Sequence, residues 1–342
     1  MRNISKISMI AAKTGNKVEA HGSSQQAMTA PASASPATAD YHHRLELQRR
    51  RSVVGFFLFG VLLIAAFAKP LFSLAIHAAG SELHSHILLV PFVSIYLMYL
   101  RRHSLPKNYA FSPLWAMIGL VAGLIWLAVA SAPGVFGRPL SYNDSLALIS
   151  LSFVCFLAAG GFLFLGRKWM AAATFPFAFL IFMVPMPDAM ADALETASKL
   201  ASAEAANLFF NLTGTPTLRD GTIFALPGIT IQVAQECSGI RSSWVLLITS
   251  LLAANLFLKS QWRRTALVAA VIPLGILRNG LRILFIGFLC VHIGPGMIHS
   301  VFHRRGGPPF FVLSLVPLFF LLWWLRRGEA RTSQSVKTSN GT

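Results

Sequence analysis

The residues with the most chemical promise lie in the second half of the chain. Cys237 stands in the polar, glycine-containing run Gln235-Glu236-Cys237-Ser238-Gly239-Ile240-Arg241-Ser242, just ahead of an apolar stretch. A helix N-terminus and nearby cations lower a thiol pKa from about 8.5, which makes the thiolate a nucleophile for carbonyl groups. Arg278 and Arg282 interrupt a later apolar stretch, with Asn279 between them. An arginine at the centre of a bilayer costs at least about 2.5–3.5 kcal/mol, so each one is a functional candidate. His303, and His299 four residues before it, lie between Gly294-Pro295-Gly296 and Gly306-Gly307-Pro308-Pro309. An imidazole there could move protons near neutral pH.

Each of these residues also has a plainer reading. A lone cysteine is usually a small inert hydrophobe, and Cys155 and Cys290, within apolar helices, are read that way. The arginines could snorkel outward or bond neighbouring helices, a reading that suits Arg278 better than Arg282. Cys237 with His299 and His303 could ligate a metal, but no acidic or histidine-rich spacing accompanies them, so neither metal nor cofactor is expected. Of the other histidines, His42 and His43 fall in an N-terminal tail. His77, His84 and His86 fall near the outer end of the first helix pair, and His292 precedes the last outer loop.

Composition dictates the elements that must position these groups. Of 342 residues, 55% are hydrophobic and only 12% charged, with a mean hydropathy of +0.61. Soluble domains carry roughly 25% charged residues, which excludes an ordinary cytosolic enzyme. The net charge of +17 in so apolar a chain indicates basic loops beside a membrane rather than a nucleic-acid partner. Three scattered cysteines exclude a disulfide framework.

The expected fold is an all-α integral membrane protein with about eight spans: Val53–Ala68, Ile87–Leu100, Leu114–Ala132, Ser145–Gly166, Trp169–Met186, Ser242–Leu258, Thr265–Ile293 and Pro309–Leu325. Residues 1–45, Ala/Ser/Thr-rich near their start, are expected to be a disordered cytoplasmic tail rather than a signal peptide. Residues 46–328 form the membrane domain, and 329–342 a second disordered cytoplasmic tail.

Basic clusters at Arg49–Arg51, Arg101-Arg102 with Lys107, Arg167-Lys168, Lys259 with Arg263-Arg264, and Arg326-Arg327 fall on one side of this arrangement. They place both termini in the cytoplasm, while Arg304-Arg305 falls outside and breaks the rule. Pro187–Arg241 is then the longest extracytoplasmic segment. Its first half carries Met190, Leu194, Ala197, Ala201 and Leu208 at the spacing of an amphipathic surface helix. Its second half, with Asp220-Gly221, Pro227-Gly228 and alternating Ile229, Ile231 and Val233, predicts a small β-hairpin. Seventeen residues from Thr265 place Arg282 about 26 Å along its span, near the outer edge. Arg278 lies a turn deeper, on a neighbouring face. Cys237 and His303, each just ahead of a span, fall at that same outer depth.

Four motifs, in order, resemble the exosortase/archaeosortase family of multi-span membrane cysteine transpeptidases, over roughly residues 50 to 325. The first is Ser85-His86-Ile87-Leu88-Leu89-Val90-Pro91, similar to the family's SHG-x-LVP with Ile87 in place of Gly, followed by Arg101-Arg102. The second runs from Leu212-Thr213-Gly214-Thr215-Pro216-Thr217 through Arg219-Asp220-Gly221 to Cys237-Ser238-Gly239-Ile240-Arg241-Ser242. Asn279-Gly280-Leu281-Arg282-Ile283 resembles N-x-x-R-[IV], and His303-Arg304-Arg305-Gly306-Gly307 leads to Phe310-Phe311.

The resemblance implies that Cys237 is the nucleophile, with Arg282 and His303 completing the site; His299 is the rival for the histidine. It implies a bacterial exosortase in the cell inner membrane, with its site on the periplasmic face. Such an enzyme would cleave secreted proteins that end in a Pro-Glu-Pro-type motif, a transmembrane helix and a basic tail (the PEP-CTERM arrangement). The new C-terminus would pass to a surface acceptor, lipid or polysaccharide. Two other readings stay open: a lipid- or polysaccharide-handling transporter without thiol chemistry, using Arg278 and Arg282 for anionic headgroups, and an intramembrane protease releasing its product to water.

Overall fold

The computed structural model describes residues 36–81, 83–106, 109–132, 140–233, 239–294, 296–297 and 307–339. Contacts divide the chain into two units, Met1–Glu46 and Leu47–Thr342. Twelve α-helices run through the described residues: α1 (Pro36–Ala66), α2 (Ala68–Gly80), α3 (Val90–Arg101), α4 (Pro113–Ser131), α5 (Tyr142–Gly160), α6 (Arg167–Ala172), α7 (Thr174–Phe179), α8 (Asp188–Leu212), α9 (Ile240–Phe257), α10 (Gln261–Ala269), α11 (Val271–His292) and α12 (Gly307–Ser339). Two boundaries differ from expectation. Helix α1 begins at Pro36, inside the stretch expected to be disordered, and α12 runs past residue 328. Proline suits a helix start because its missing N–H would have no partner there, and neither Gly nor Pro follows it before Gly55.

This is a helical integral membrane protein, but the eight expected segments are not eight uninterrupted spans. Five helices are long and apolar enough to cross a membrane: Pro113–Ser131, Tyr142–Leu165, Ile240–Phe257, Gln261–His292 and Pro309–Glu329. The number rises to seven if two bent pairs each count as one span. These are Glu46–Ala66 with Ala68–Gly80, bent by 70°, and Thr174–Met183 with Asp188–Leu212, bent by 89°. Prolines explain the bends. Pro70 removes a backbone donor from the first turn of α2, and Pro185 and Pro187 stop the helix ahead of α8. Helix α3 has 12 residues, about 18 Å of rise, well short of a 30 Å hydrocarbon core. Large apolar side chains such as Phe57, Leu62, Phe92, Ile95 and Phe320 are exposed along the outer helix faces, a surface suited to lipid.

Four apolar cores hold the helices, the smallest of them Leu165, Trp169, Met170 and Ala173 around α6. Leu63, Phe67, Leu74, Leu97, Phe153 and Phe179 join α1, α2, α3, α5 and α7, with Ile248 of α9 at their edge. Leu246, Leu267, Val271 and Leu318 join α9, α10, α11 and α12. A further core packs α8 and α11 against a sheet through Phe210, Phe224, Ile231, Ile283 and Ile286.

The expected hairpin is part of a three-stranded antiparallel sheet, ordered β1 (Leu218–Asp220), β2 (Ile223–Leu226), β3 (Ile229–Gln232). Arg219 pairs across with Phe224, and Phe224 with Ile231. Gly221 (φ 56°) and Gly228 (φ 82°) make its turns. Arg219 donates from Nη2 to Glu204 Oε1 at 2.8 Å and places Nη1 2.8 Å from Oε2, a two-pronged pair that ties the sheet to α8.

Helix α8 has two distinct faces. Met190, Leu194 and Leu208 of the expected apolar stripe are exposed, whereas Ser202, Ala203, Ala205, Ala206 and Phe210 are buried. Small residues let α8 and α11 approach closely, as is usual between membrane helices. A Cβ added at Gly280 would lie 2.7 Å from Ala205 Cβ.

Candidate active site

The entrance of α9 is the best-defined polar feature near the expected chemistry. Gly239 precedes the helix with φ 70° and ψ 6°, a left-handed conformation that side chains disfavour. Its carbonyl oxygen accepts from Ser243 N at 3.0 Å, Ser242 Oγ at 3.1 Å and Arg278 Nη2 at 3.0 Å. Arg278 Nη2 also donates to Ser243 Oγ at 3.1 Å. Arg278 is 5% exposed and Asn279 2% exposed. A Cβ at position 239 would meet Arg278 Nη2 at 3.0 Å and Asn279 Oδ1 at 3.1 Å, so glycine is required by backbone and neighbours alike. Among the described residues, nothing accepts a hydrogen bond from Arg278 Nη1.

Helix α11 brings these groups together because its inward stripe repeats every three or four residues. Gly275, Arg278, Asn279, Ile283, Ile286, Gly287 and Cys290 are buried, and Arg282 is half-buried on the same side. Arg278 and Arg282 are thus one turn apart, about 6 Å along the axis. Cys290 sits two turns beyond Arg282 in the apolar core of α8, α11 and the sheet.

Of the three residues expected to form the site, Arg282 is described, while Cys237 and His303 lie outside the described residues, as does the rival His299. Cys237 stands two residues before Gly239 in the chain. Arg278, read from sequence as a structural arginine, holds the carbonyl of Gly239. The sequence spacing predicts a neighbouring face for Arg278, whereas α11 carries it on the same inward side as Arg282.

A second polar cluster flanks α9 from the other direction. His77 Nε2 lies 3.1 Å from Asn143 Oδ1, and Asn143 Nδ2 donates to Met186 O and Asp188 Oδ1, both at 2.8 Å. Asp188 N donates to Asp144 Oδ1 at 2.9 Å. His84 Nδ1 is 3.1 Å from Ser81 Oγ, and its ring lies 5.3 Å from that of His77. Burial pushes the His84 pKa down to about 4, reinforced by His77 and His86 and opposed by Asp188. His86 is also lowered by burial, against hydrogen bonds to Leu83 and Phe182 backbone. Trp244 Nε1, on α9, donates to His86 Nε2 at 3.2 Å. No local sequence signal joins residues so far apart; the Ser85-His86 motif was the sole pointer. Among the described residues, no group of three or more His, Cys, Asp or Glu could hold a metal ion.

These features define a polytopic helical membrane protein with a cationic, glycine-dependent helix entrance and a small sheet packed on α8 and α11. The family model for transmembrane exosortases matches residues 77–320, more than two thirds of the chain. The chain belongs to that family. Comparison with curated proteins and with solved structures finds no match.

Proposed function

We propose that this exosortase-family protein is a membrane cysteine transpeptidase that cleaves C-terminal sorting signals of PEP-CTERM type and transfers the trimmed protein to a surface acceptor. The observation that carries the reading is the grip of Arg278 on Gly239, in a chain whose family match covers the Cys237, Arg282 and His303 motifs. Cys237 stands two residues before the turn that Arg278 grips, and a cation beside a thiol favours the thiolate. The Cys237 thiolate attacks the scissile carbonyl. Arg282 stabilises the oxyanion, and His303 gives a proton to the leaving amine as the C–N bond breaks. A nucleophilic hydroxyl or amine of the acceptor then attacks the thioester, loses its proton to His303 and expels the thiolate. Arg278, with its Nη1 unoccupied among the described residues, orients the turn after the nucleophile.

The topology that accompanies this reading has eight membrane segments in residues 46–328, with the short α3 and the two bent pairs included. The tails at 1–45 and 329–342 are cytoplasmic, and the site faces the periplasm across the inner membrane. A cleavage point just above a substrate's own anchor would meet the enzyme at that depth.

The test is processing of a tripartite-tail substrate in cells, with variant abundance checked by immunoblot. Cys237→Ala abolishes processing. His303→Ala loses at least about 10²-fold, and His299→Ala loses less. Arg282→Lys fails because an ammonium lacks the planar fork. Native-rate processing by Cys237→Ala would refute the reading in favour of lipid handling without a thiol.

A further inference from the structure

We infer that His86 is a positioning residue for the entrance of α9: by holding Trp244 it fixes, together with Arg278, the helix turn that follows Cys237. The inference deepens the cysteine reading above and rests on it.

An indole N–H only donates, so in the 3.2 Å contact with Trp244 Nε1 the His86 Nε2 atom must accept. A neutral imidazole accepting at Nε2 carries its proton on Nδ1, and Nδ1 lies 3.1 Å from Leu83 O, which takes that proton. Both ring nitrogens thereby have a partner, and the Phe182 backbone adds a further hydrogen bond to the ring. Trp244 is further fixed by edge-on contacts, 6.4 Å between centroids with His86 and 5.8 Å with Phe182. Trp244 and Ser243 are adjacent on α9, about 100° apart around its axis. Ser243 meets Arg278 of α11, and Trp244 meets the 3₁₀ turn Ser85–Leu88. The first turn of α9 is therefore gripped by two elements that touch different faces. An aliphatic residue at 86 would pack against the indole without dictating its rotation, and only an acceptor does that. The ionisable groups around His86 are His84 in the same loop, with His77 and Asp188 beyond it. Protonation of His86 would replace the acceptor with a second donor facing the indole N–H.

The test uses the full chain in liposomes with a tripartite-tail substrate, comparing kcat and KM for His86→Leu, Trp244→Phe, their double variant, His86→Gln and Cys237→Ala. Trp244→Phe keeps an aromatic ring and removes the donor together with the pyrrole half of the indole. Each single variant lowers kcat by roughly 2- to 12-fold, the worth of one hydrogen bond, with KM little changed. The double variant is no worse than the poorer single variant, because both remove one interaction. His86→Gln, whose Oε1 can accept from Trp244, recovers most of the rate. If His86→Leu fails to fold, Trp244→Phe with His86→Gln decides. Wild-type kcat in Trp244→Phe, multiplying losses in the double variant, or no recovery in His86→Gln would each overturn the inference. Native turnover by Cys237→Ala would instead overturn the cysteine reading, and so the two failures are distinguishable.

Discussion

Replacing Gly239 with alanine isolates the demand that the α9 entrance makes. At φ 70° an L side chain carries a left-handed penalty of about 1–2 kcal/mol. The new Cβ would lie 3.0 Å from Arg278 Nη2 and 3.1 Å from Asn279 Oδ1, so the guanidinium must retreat by a few tenths of an ångström. Its bonds to Gly239 O and Ser243 Oγ already measure 3.0 and 3.1 Å; a retreat lengthens both and takes the longer, to Ser243 Oγ, beyond the useful range of about 3.2 Å. Losing one hydrogen bond from a charged donor adds about 1.5–3 kcal/mol. The total of about 2.5–5 kcal/mol corresponds to roughly two to four orders of magnitude in the population of the correctly set turn. Gly221→Ala is the control. At φ 56°, with no atom within 4 Å of its added Cβ, it pays the backbone penalty alone. The assays are thermal midpoint in detergent and substrate processing in cells. Gly221→Ala should lose some stability and keep processing, and Gly239→Ala should lose both. Processing by Gly239→Ala within about threefold of wild type would refute the steric and hydrogen-bond reasoning together.

Three further outcomes follow from the same structure. Arg278→Met removes two hydrogen bonds from half-buried acceptors, each worth roughly 1.5–3 kcal/mol to a charged donor, and should cut processing at least about tenfold; an unchanged rate at equal abundance would show that the turn needs no cation. A reporter fused after Thr217 should be active only outside the cytoplasm, and cytoplasmic activity would invert the proposed topology. His84 is a buried base whose folded pKa, about 4, lies below its ordinary 6.5. Its contribution to stability is fully present above pH 6.5 and is lost as pH falls from there toward 4. The thermal midpoint should therefore drop across that window, and His84→Phe should flatten the drop; an identical slope in the variant would remove His84 from the account.

The sequence discloses what depends on local pattern. The apolar segments fall on helices, although Trp169–Met186 is divided between α6, α7 and a 3₁₀ turn, and the pair Pro227-Gly228 with alternating Ile229 and Ile231 yields the β2–β3 hairpin. Strand β1 escapes because Leu218–Asp220 is three residues long and reads as part of the Asp220-Gly221 turn. The broken spans escape because apolar length does not register a proline bend, as at Pro70 and ahead of α8. The inner face of α8 escapes because its buried alanines are less conspicuous than Met190, Leu194 and Leu208, which face outward. At the site, four motifs in order identify the family, while the spacing of Arg278 and Arg282 predicts two neighbouring faces rather than the one inward side that they share. What each arginine touches is tertiary information. Arg278 meets Gly239 across a separation of 39 residues, and His86 meets Trp244 across 158; no periodicity encodes either contact.

The central claim is covalent catalysis by Cys237, and trapping the intermediate tests it most directly. Purified full-length protein is mixed with a tripartite-tail substrate, quenched in acid and digested, and the Cys237 peptide is examined by mass spectrometry. The account predicts a thioester joining Cys237 to the new C-terminus of the substrate, released by hydroxylamine and absent from the Cys237→Ala protein, which also fails to cleave. Cleavage at the native rate by Cys237→Ala, with no adduct on the wild-type peptide, would contradict it.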